Sequence, residues 1–286
     1  MLGAGEVLRI DRRPGLARLE AGENFPVALR VLPRGRREGL HAVYAFARTV
    51  DELGDAPGVA PAERVVRLTA FAAELEHVWT DGRVHDPVLR RLRPVVEAHA
   101  MEAEPFRRLV RANLQDQRVV RYETFDDLLG YCRLSADPVG RIVLALFDLH
   151  DPALAALSDR VCTALQLLEH WQDVAEDRRA GRVYLPQQDL RAYDVVEADL
   201  DAAQASPRLR ALMLFEIDRA AALLADGAPL VGALHGWARP CVAGFVAGGA
   251  ATVAALRRTG GEVLARTARP SRAGTLARAL RLVVAA

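Results

Sequence analysis

Along most of this chain apolar residues recur at intervals of three and four, the period of a helix with one face turned to a core. Between Arg36 and Leu53 that face is marked by Leu40, Val43, Tyr44, Ala47 and Val50. A loop containing Gly and Pro follows from Asp55 to Pro61, and Pro61 suits the first turn of a helix running to about Trp79. The same period predicts helices over roughly 86–100, 104–120, 125–149, 152–178, 199–226, 229–257 and 261–283. Pro14, Pro26 and Pro33 interrupt residues 1 to 34, which read as irregular, and Gly181 to Asp189, with Pro186, reads as a loop. Neither an alternating strand pattern nor a repeat of fixed period is found. The expectation is an all-α fold, with one domain over 1–286 and about eight to ten helices.

Composition sharpens this picture. Apolar content is 51% and is dominated by Ala, Leu and Val, which favours helix over sheet. The formal net charge of +1 leaves no electrostatic footprint for nucleic acid. Every basic residue is Arg, so every cationic side-chain contact is a planar guanidinium fork suited to phosphate oxygens. The clusters Arg34/Arg36/Arg37, Arg90/Arg91/Arg93 and Arg107/Arg108/Arg111 read first as solvated faces, with contact to anionic lipid head groups as the other reading. Cys132, Cys162 and Cys241 follow no disulfide or zinc spacing. No apolar signal segment opens the chain, and no run of 18 charge-free apolar residues predicts a spanning helix. Cys241 to Leu256 comes nearest and reads as a buried helix. The expected location is the cytoplasm, with peripheral membrane contact as a possibility.

The candidate chemistry lies in two acidic stretches. In Tyr44-Ala-Phe-Ala-Arg48-Thr-Val-Asp51-Glu-Leu-Gly-Asp55, spacings of three and four place Tyr44, Arg48, Asp51 and Asp55 on one helical face. In Gln166-Leu-Leu-Glu169-His-Trp-Gln172-Asp173-Val-Ala-Glu176-Asp177, the residues Gln166, Glu169, Asp173 and Asp177 form a second polar stripe. Carboxylates spaced four apart repel, and two such pairs facing each other would be costly to desolvate. Mg²⁺ relieves both problems, because it takes hard oxygen ligands and shares them with substrate phosphates. Either pair alone is equally an ordinary surface feature. Two copies about 120 residues apart, each with Arg, Tyr or Gln on the same face, predict a metal-bridged diphosphate between two helices.

These residues resemble the squalene/phytoene synthase family. Arg48-x-x-Asp51-x-x-x-Asp55 is similar to the family's first motif, Gln172-Asp173-Val-Ala-Glu176-Asp177 to its second, and Arg182-Val-Tyr184-Leu-Pro186 to the RxYxP segment that follows. Tyr131 to Gly140 is similar to the helix break that lines the substrate pocket. The resemblance runs from about Glu23 to about Leu256 with the motifs in family order. It implies an isoprenoid-synthase helical bundle with a central active-site cavity, and Mg²⁺ (Mn²⁺ possible) held by Asp51, Asp55, Asp173 and Asp177, with Glu169 and Glu176 as weaker candidates. It implies phosphate contacts from Arg48 and Arg182, and donors to phosphate, or groups facing the cation, in Tyr44 and Tyr184. Gln166 would orient a ligand or a water, and Gln172 and Asn24 join the substrate-binding set. Phe46, Leu134, Val139, Leu165 and Trp171 are expected to line a hydrocarbon tunnel.

Three details resemble the branch of bacterial hopanoid-pathway hydroxysqualene synthases. They are Glu23-Asn24-Phe25-Pro26-Val27 where condensing synthases carry a Ser-rich segment, Ser135-Ala-Asp-Pro-Val-Gly140, and His170-Trp171-Gln172-Asp173. Glu169 stands where relatives often carry Asn. Phe245-Val-Ala-Gly248-Gly249 stands where many carry a Tyr that reaches the diphosphate. The branch implies presqualene diphosphate plus water giving hydroxysqualene and diphosphate, with partner enzymes that supply the one and consume the other. No nicotinamide or flavin cofactor is expected. The alternatives are a transferase joining two prenyl diphosphates (presqualene diphosphate or phytoene synthase) and a non-catalytic family member serving assembly or binding.

Overall fold

A computed structural model describes residues 32–265, 268 and 272–285. The expected irregular segment, and Asn24 with it, lies almost wholly outside the described residues. Thirteen α-helices follow in order: α1 Arg34–Gly54, α2 Pro61–Leu75, α3 Pro87–Ala98, α4 Ala103–Asp116, α5 Phe125–Ser135, α6 Asp137–Leu146, α7 Pro152–Gln172, α8 Val174–Arg179, α9 Gln187–Ala192, α10 Pro207–Gly227, α11 Leu230–Ala233, α12 Ala238–Arg258 and α13 Arg272–Ala285. Two short 3₁₀ turns, Glu76–Trp79 and Glu197–Asp201, complete the described elements. Among the described residues there is no strand, only one isolated parallel bridge between Arg121 and Val183. The all-α expectation holds.

Helix starts are written locally. Asp86, Asp151 and Ser206 cap α3, α7 and α10 through their side-chain oxygens, each with Pro in the first turn. Thr124 and Asp127 form a reciprocal capping box on α5. The Ser206 cap corrects the expected helix from 199: the chain turns through a 3₁₀ segment and starts α10 at Pro207. The expected helices 125–149, 152–178 and 229–257 are each broken in two, at Ala136, Asp173 and 234–237. Gln187–Ala192, expected as loop, is a short helix.

The core has three parts. Helices α1–α4 and α6 enclose Phe46, Phe71 and Phe106, with Phe46 stacked on Phe71 at 5.9 Å and edge-on to Phe106 at 5.3 Å. The end of α7, the 183–200 segment and α10 enclose Trp171, Leu212 and Met213. A third cluster joins the first half of α7 to α11, the start of α12 and the inner face of α13. Helix α12 is long and apolar enough to cross a bilayer, yet 61% of its apolar window is buried inside the molecule, in keeping with a core helix.

The end of α12 is tied down by a compact knot. The buried Glu262 carboxylate accepts from the amides of Ala205, Leu264 and Ala265 and pairs with Arg210 at 2.5 Å. Gly261 precedes it at φ +80°, where a Cβ would collide with the Arg210 carbonyl. Gly261→Ala is therefore expected to cost about 2–3 kcal/mol. The measurement is a urea titration in which the midpoint falls while the slope is kept, and an unchanged midpoint would refute the close approach.

Candidate active site

One cavity of about 580 Å³ opens between α1, α4, α6, α7 and α12. At its polar end stand Asp51 from the last turn of α1 and Asp55 immediately after it, and Glu169, Asp173 and Asp177 from the α7/α8 junction. Tyr44, Arg48, Gln166, Arg182 and Tyr184 also line it. Ten of the candidate side chains therefore share one cleft. Gln172 is not brought there: its amide donates to the Ala268 carbonyl.

Local geometry explains the placement. Asp173 ends α7 with φ −107° and ψ 15°, so α8 departs in a new direction. The turn is nevertheless closed, because the Asp177 amide donates to the Asp173 carbonyl at 2.8 Å. Across the cleft the α1 terminus is held from outside. Gln117 and Arg64 donate to the Gly54 carbonyl at 3.0 and 3.2 Å, and Asn113 Nδ2 donates to Asp51 Oδ1 at 3.2 Å. A Cβ at Gly54 would strike Asn113 Oδ1, so glycine between the two aspartates is what admits that hydrogen bond. Arg182 spans the two motifs and donates to Asp55 Oδ1 at 3.1 Å. Arg48 pairs with Glu52 at 3.3 Å on its own helix.

Burial and like charge act on the second acidic pair. Burial, then the neighbouring Asp173 charge, pushes the Asp177 carboxyl up to about 7, against the opposing pull of Arg182. Burial and Glu176 raise Asp173 as well. His170 is buried and held neutral, its pKa lowered to about 3 by burial and by Arg182. Its ring stacks on Tyr184 at 3.6 Å, and its Nε2 lies 3.3 Å from Gln166 Nε2. Neutral His170 cannot balance Asp177, whose oxygen lies 3.9 Å from Nδ1.

Two functional candidates escape sequence reasoning. Asp116, at the end of α4, lines the cleft and accepts from Tyr131 Oη at 2.9 Å, while its other oxygen is buried without a hydrogen-bond partner. Burial pushes its carboxyl up to about 6, against the Tyr131 hydrogen bond and the Arg182 charge. Tyr131 falls in the segment singled out as a helix break, which was the available signal. Asp116 has no acidic neighbour at helical spacing on its own helix, so nothing local marks it.

Behind the polar end the walls are apolar, but only partly as expected. Val139 and Leu165 line the cavity, together with Val161, Leu230, Val242 and Phe245. Phe46 and Trp171 are instead fully buried in the flanking cores, and Leu134 packs against the second of these. The reason for Phe46 is angular: two residues from Tyr44 and from Arg48, it points about 200° away around the helix.

Among the described residues no three His, Cys, Asp or Glu side chains converge as a ready-made metal site. The donor set still fits a hard divalent cation. It is all carboxylate oxygen, it lines one cleft from two sides, and two of its members are raised by burial and by like charge.

Comparison with known proteins agrees with this geometry. Residues 19–274 match the family model described as squalene/phytoene synthase. The chain is 34% identical to the hydroxysqualene synthase of Rhodopseudomonas palustris over 212 residues, covering 73% of this chain and 70% of that protein. It is 30% identical to the phytoene synthase of Arthrospira platensis over 226 residues, covering 74% and 72%. The crystal structure of squalene synthase HpnC from Alicyclobacillus acidocaldarius superposes with a TM-score of 0.78 at 37% identity, covering 85% of this chain and 92% of that one. With both acidic motifs, the RxYxP arginine and tyrosine and an apolar pocket gathered in one helical cleft, this chain belongs to the squalene/phytoene synthase family of enzymes.

Proposed function

We propose that the enzyme converts presqualene diphosphate and water to hydroxysqualene and diphosphate, with Mg²⁺ or Mn²⁺ as cofactor, in the cytoplasm beside the membrane that receives its product. The carrying observation is the make-up of the cleft: carboxylates and Arg182 at one end, apolar walls behind, and Phe245, which has no hydroxyl, on the α12 wall. The identity to a hydroxysqualene synthase supports the same reading.

Asp51, Asp55, Asp173 and Asp177 would hold the metal, with Glu169 beside them. When bound, it would supply positive charge against the leaving diphosphate. Arg182 and Arg48 would take phosphate oxygens through their guanidinium forks, and Tyr44 and Tyr184 would donate to them. The C–O bond to diphosphate breaks with its electron pair on the leaving oxygen, and the cyclopropane ring opens. The apolar walls exclude bulk water, so the allylic cation meets only water admitted to the pocket. That water's oxygen forms the new C–O bond, and its proton leaves to diphosphate or solvent. Enzymes that make presqualene diphosphate and consume hydroxysqualene are the expected partners.

The test is incubation with presqualene diphosphate in ¹⁸O-labelled water, with and without Mg²⁺ and NADPH, followed by lipid analysis. The expected result is labelled hydroxysqualene, formed only with the metal and unaltered by NADPH. Full turnover in excess EDTA would overturn the metal assignment, and squalene formed with NADPH would overturn water capture. The identity to a phytoene synthase favours a second reading, condensation of two prenyl diphosphates. Consumption of farnesyl diphosphate with accumulation of presqualene diphosphate would select it.

A further inference from the structure

The arginine clusters noted in the sequence are largely neutralised by acids of the protein itself. Arg34 pairs with Glu38, Arg36 with Asp148, Arg93 with Glu97, Arg107 with Glu76, and both Arg108 and Arg111 with Glu104. The opposite holds at the C-terminal end. From Val263 onward the sequence has five arginines and no Asp or Glu. Among the described residues Arg278 and Arg281 are exposed and have no acidic partner; Arg281 reaches only the Ala277 carbonyl, at 3.3 Å.

On the same helix stand apolar side chains that no other described residue covers. On α13 Leu282 and Val283 turn inward, against the cluster that holds Leu234 and Ala238. Leu280 and Val284, one turn apart, face outward at 60% and 86% exposure with Arg281 beside them, while Arg278, four residues before Leu282, lies exposed on the flank of α13 toward Leu282. Trp237, immediately before α12 and next in sequence to Ala238, is 47% exposed. Arg239 beside it is held by the carbonyls of Leu234 and Gly232 rather than by an acid. An exposed Trp, an aliphatic ridge and guanidiniums without an acidic partner, carried on elements that meet in one cluster, are the composition of an interfacial surface. The cluster beneath includes Leu230 and Val242, which also line the apolar end of the cavity.

We infer that this end of the molecule, Trp237 with the outer face of α13, docks on an anionic lipid bilayer. Leu280, Val284 and the Trp237 ring enter the head-group boundary, and Arg278 and Arg281 lie against lipid phosphates. None of these residues lines the cleft, so the inference survives a failure of the reaction assignment.

Vesicle partitioning of the full-length protein tests it, using phosphatidylcholine alone and phosphatidylcholine with phosphatidylglycerol. The wild type should bind only the anionic vesicles, with a blue shift of Trp emission that is lost in Trp237→Phe. Arg278→Ala with Arg281→Ala should weaken partition about thirtyfold, from about 1 kcal/mol per arginine near an anionic surface. Leu280→Ser with Val284→Ser should weaken it at least about tenfold. Circular dichroism checks the fold, and should the serine pair fail to fold, the outward arginine pair and Trp237→Phe decide. Equal binding to both vesicle types, wild-type partition by the arginine pair, or an unshifted Trp237 on bound vesicles would each overturn the inference. So would loss of self-association in these variants by sedimentation velocity, which would make the face a contact between copies of the chain.

Discussion

Asp51→Asn and Asp173→Asn should each lower diphosphate release from presqualene diphosphate by about 10²–10³-fold, the scale set by removing one group that stabilises developing charge. The two residues lie on opposite sides of the cleft, Asp51 on α1 and Asp173 at the α7/α8 break. An isosteric amide keeps the shape and removes one unit of negative charge. Helical content should therefore be retained, since Asp51 is exposed and Asp173 is half-buried. Activity should also depend more steeply on Mg²⁺ concentration in both variants, a signature that a purely structural role would not give. Wild-type turnover with a large loss of stability would show that the carboxylates serve the fold and not the reaction.

The second large effect is on stability in metal-free buffer. Burial and Asp173 hold the Asp177 carboxyl at about 7 in the folded chain, against about 3.9 when unfolded. The folded state thus binds the proton more tightly than the unfolded state. Below pH 4 both states are protonated and Asp177 costs nothing. As pH rises through the unfolded value toward 7 the cost grows, and above 7 it is complete. Asp177→Asn removes this cost. Discounted for solvent screening of a partly exposed group, the gain should be about 2 kcal/mol at pH 8 and near zero at pH 4. Urea titrations of both chains in EDTA at the two pH values measure it. A variant less stable than wild type at pH 8 would show that Asp177 is held by favourable contacts in the metal-free protein.

How much of this was legible beforehand depends on range. The helices of the first hundred residues follow from apolar period and Pro placement, and they are found nearly where the period puts them. The break at Asp173 is hidden because the apolar pattern runs through it and the four-residue hydrogen bonding continues on both sides, whereas that at Ala136 is invisible to the period but falls in the Tyr131–Gly140 segment that the family resemblance marks as a helix break. Helix α9 is too short, at six residues, to show a period. In the site, the faces carrying Asp51/Asp55 and Asp173/Asp177 are local facts of spacing and were readable. The Arg182–Asp55 bond joins residues 127 positions apart, and Asp116–Tyr131 joins two helices. Such pairs are properties of packing: the first is beyond any sequence window, and the second, 15 positions apart, depends on how α4 and α5 are set against each other. The tunnel expectation failed at Phe46 and Trp171 for a related reason, since an apolar side chain beside a motif is as well used by the neighbouring core.

The Arg182–Asp55 bond also bears on how the molecule reaches its native state. Asp55 lies at the end of a helix packed into the core of α1–α4, whereas Arg182 belongs to the segment that packs with the end of α7 and with α10. Each part can gain helices from contacts near in sequence, but the bond forms only once the two are docked, after the long intervening loop has been closed. A chain in which only one part has formed holds only one side of the cleft. Catalytic competence is thus a late event on the folding path, and recovery of turnover after dilution from denaturant reports the docking of the two parts rather than the formation of the helices.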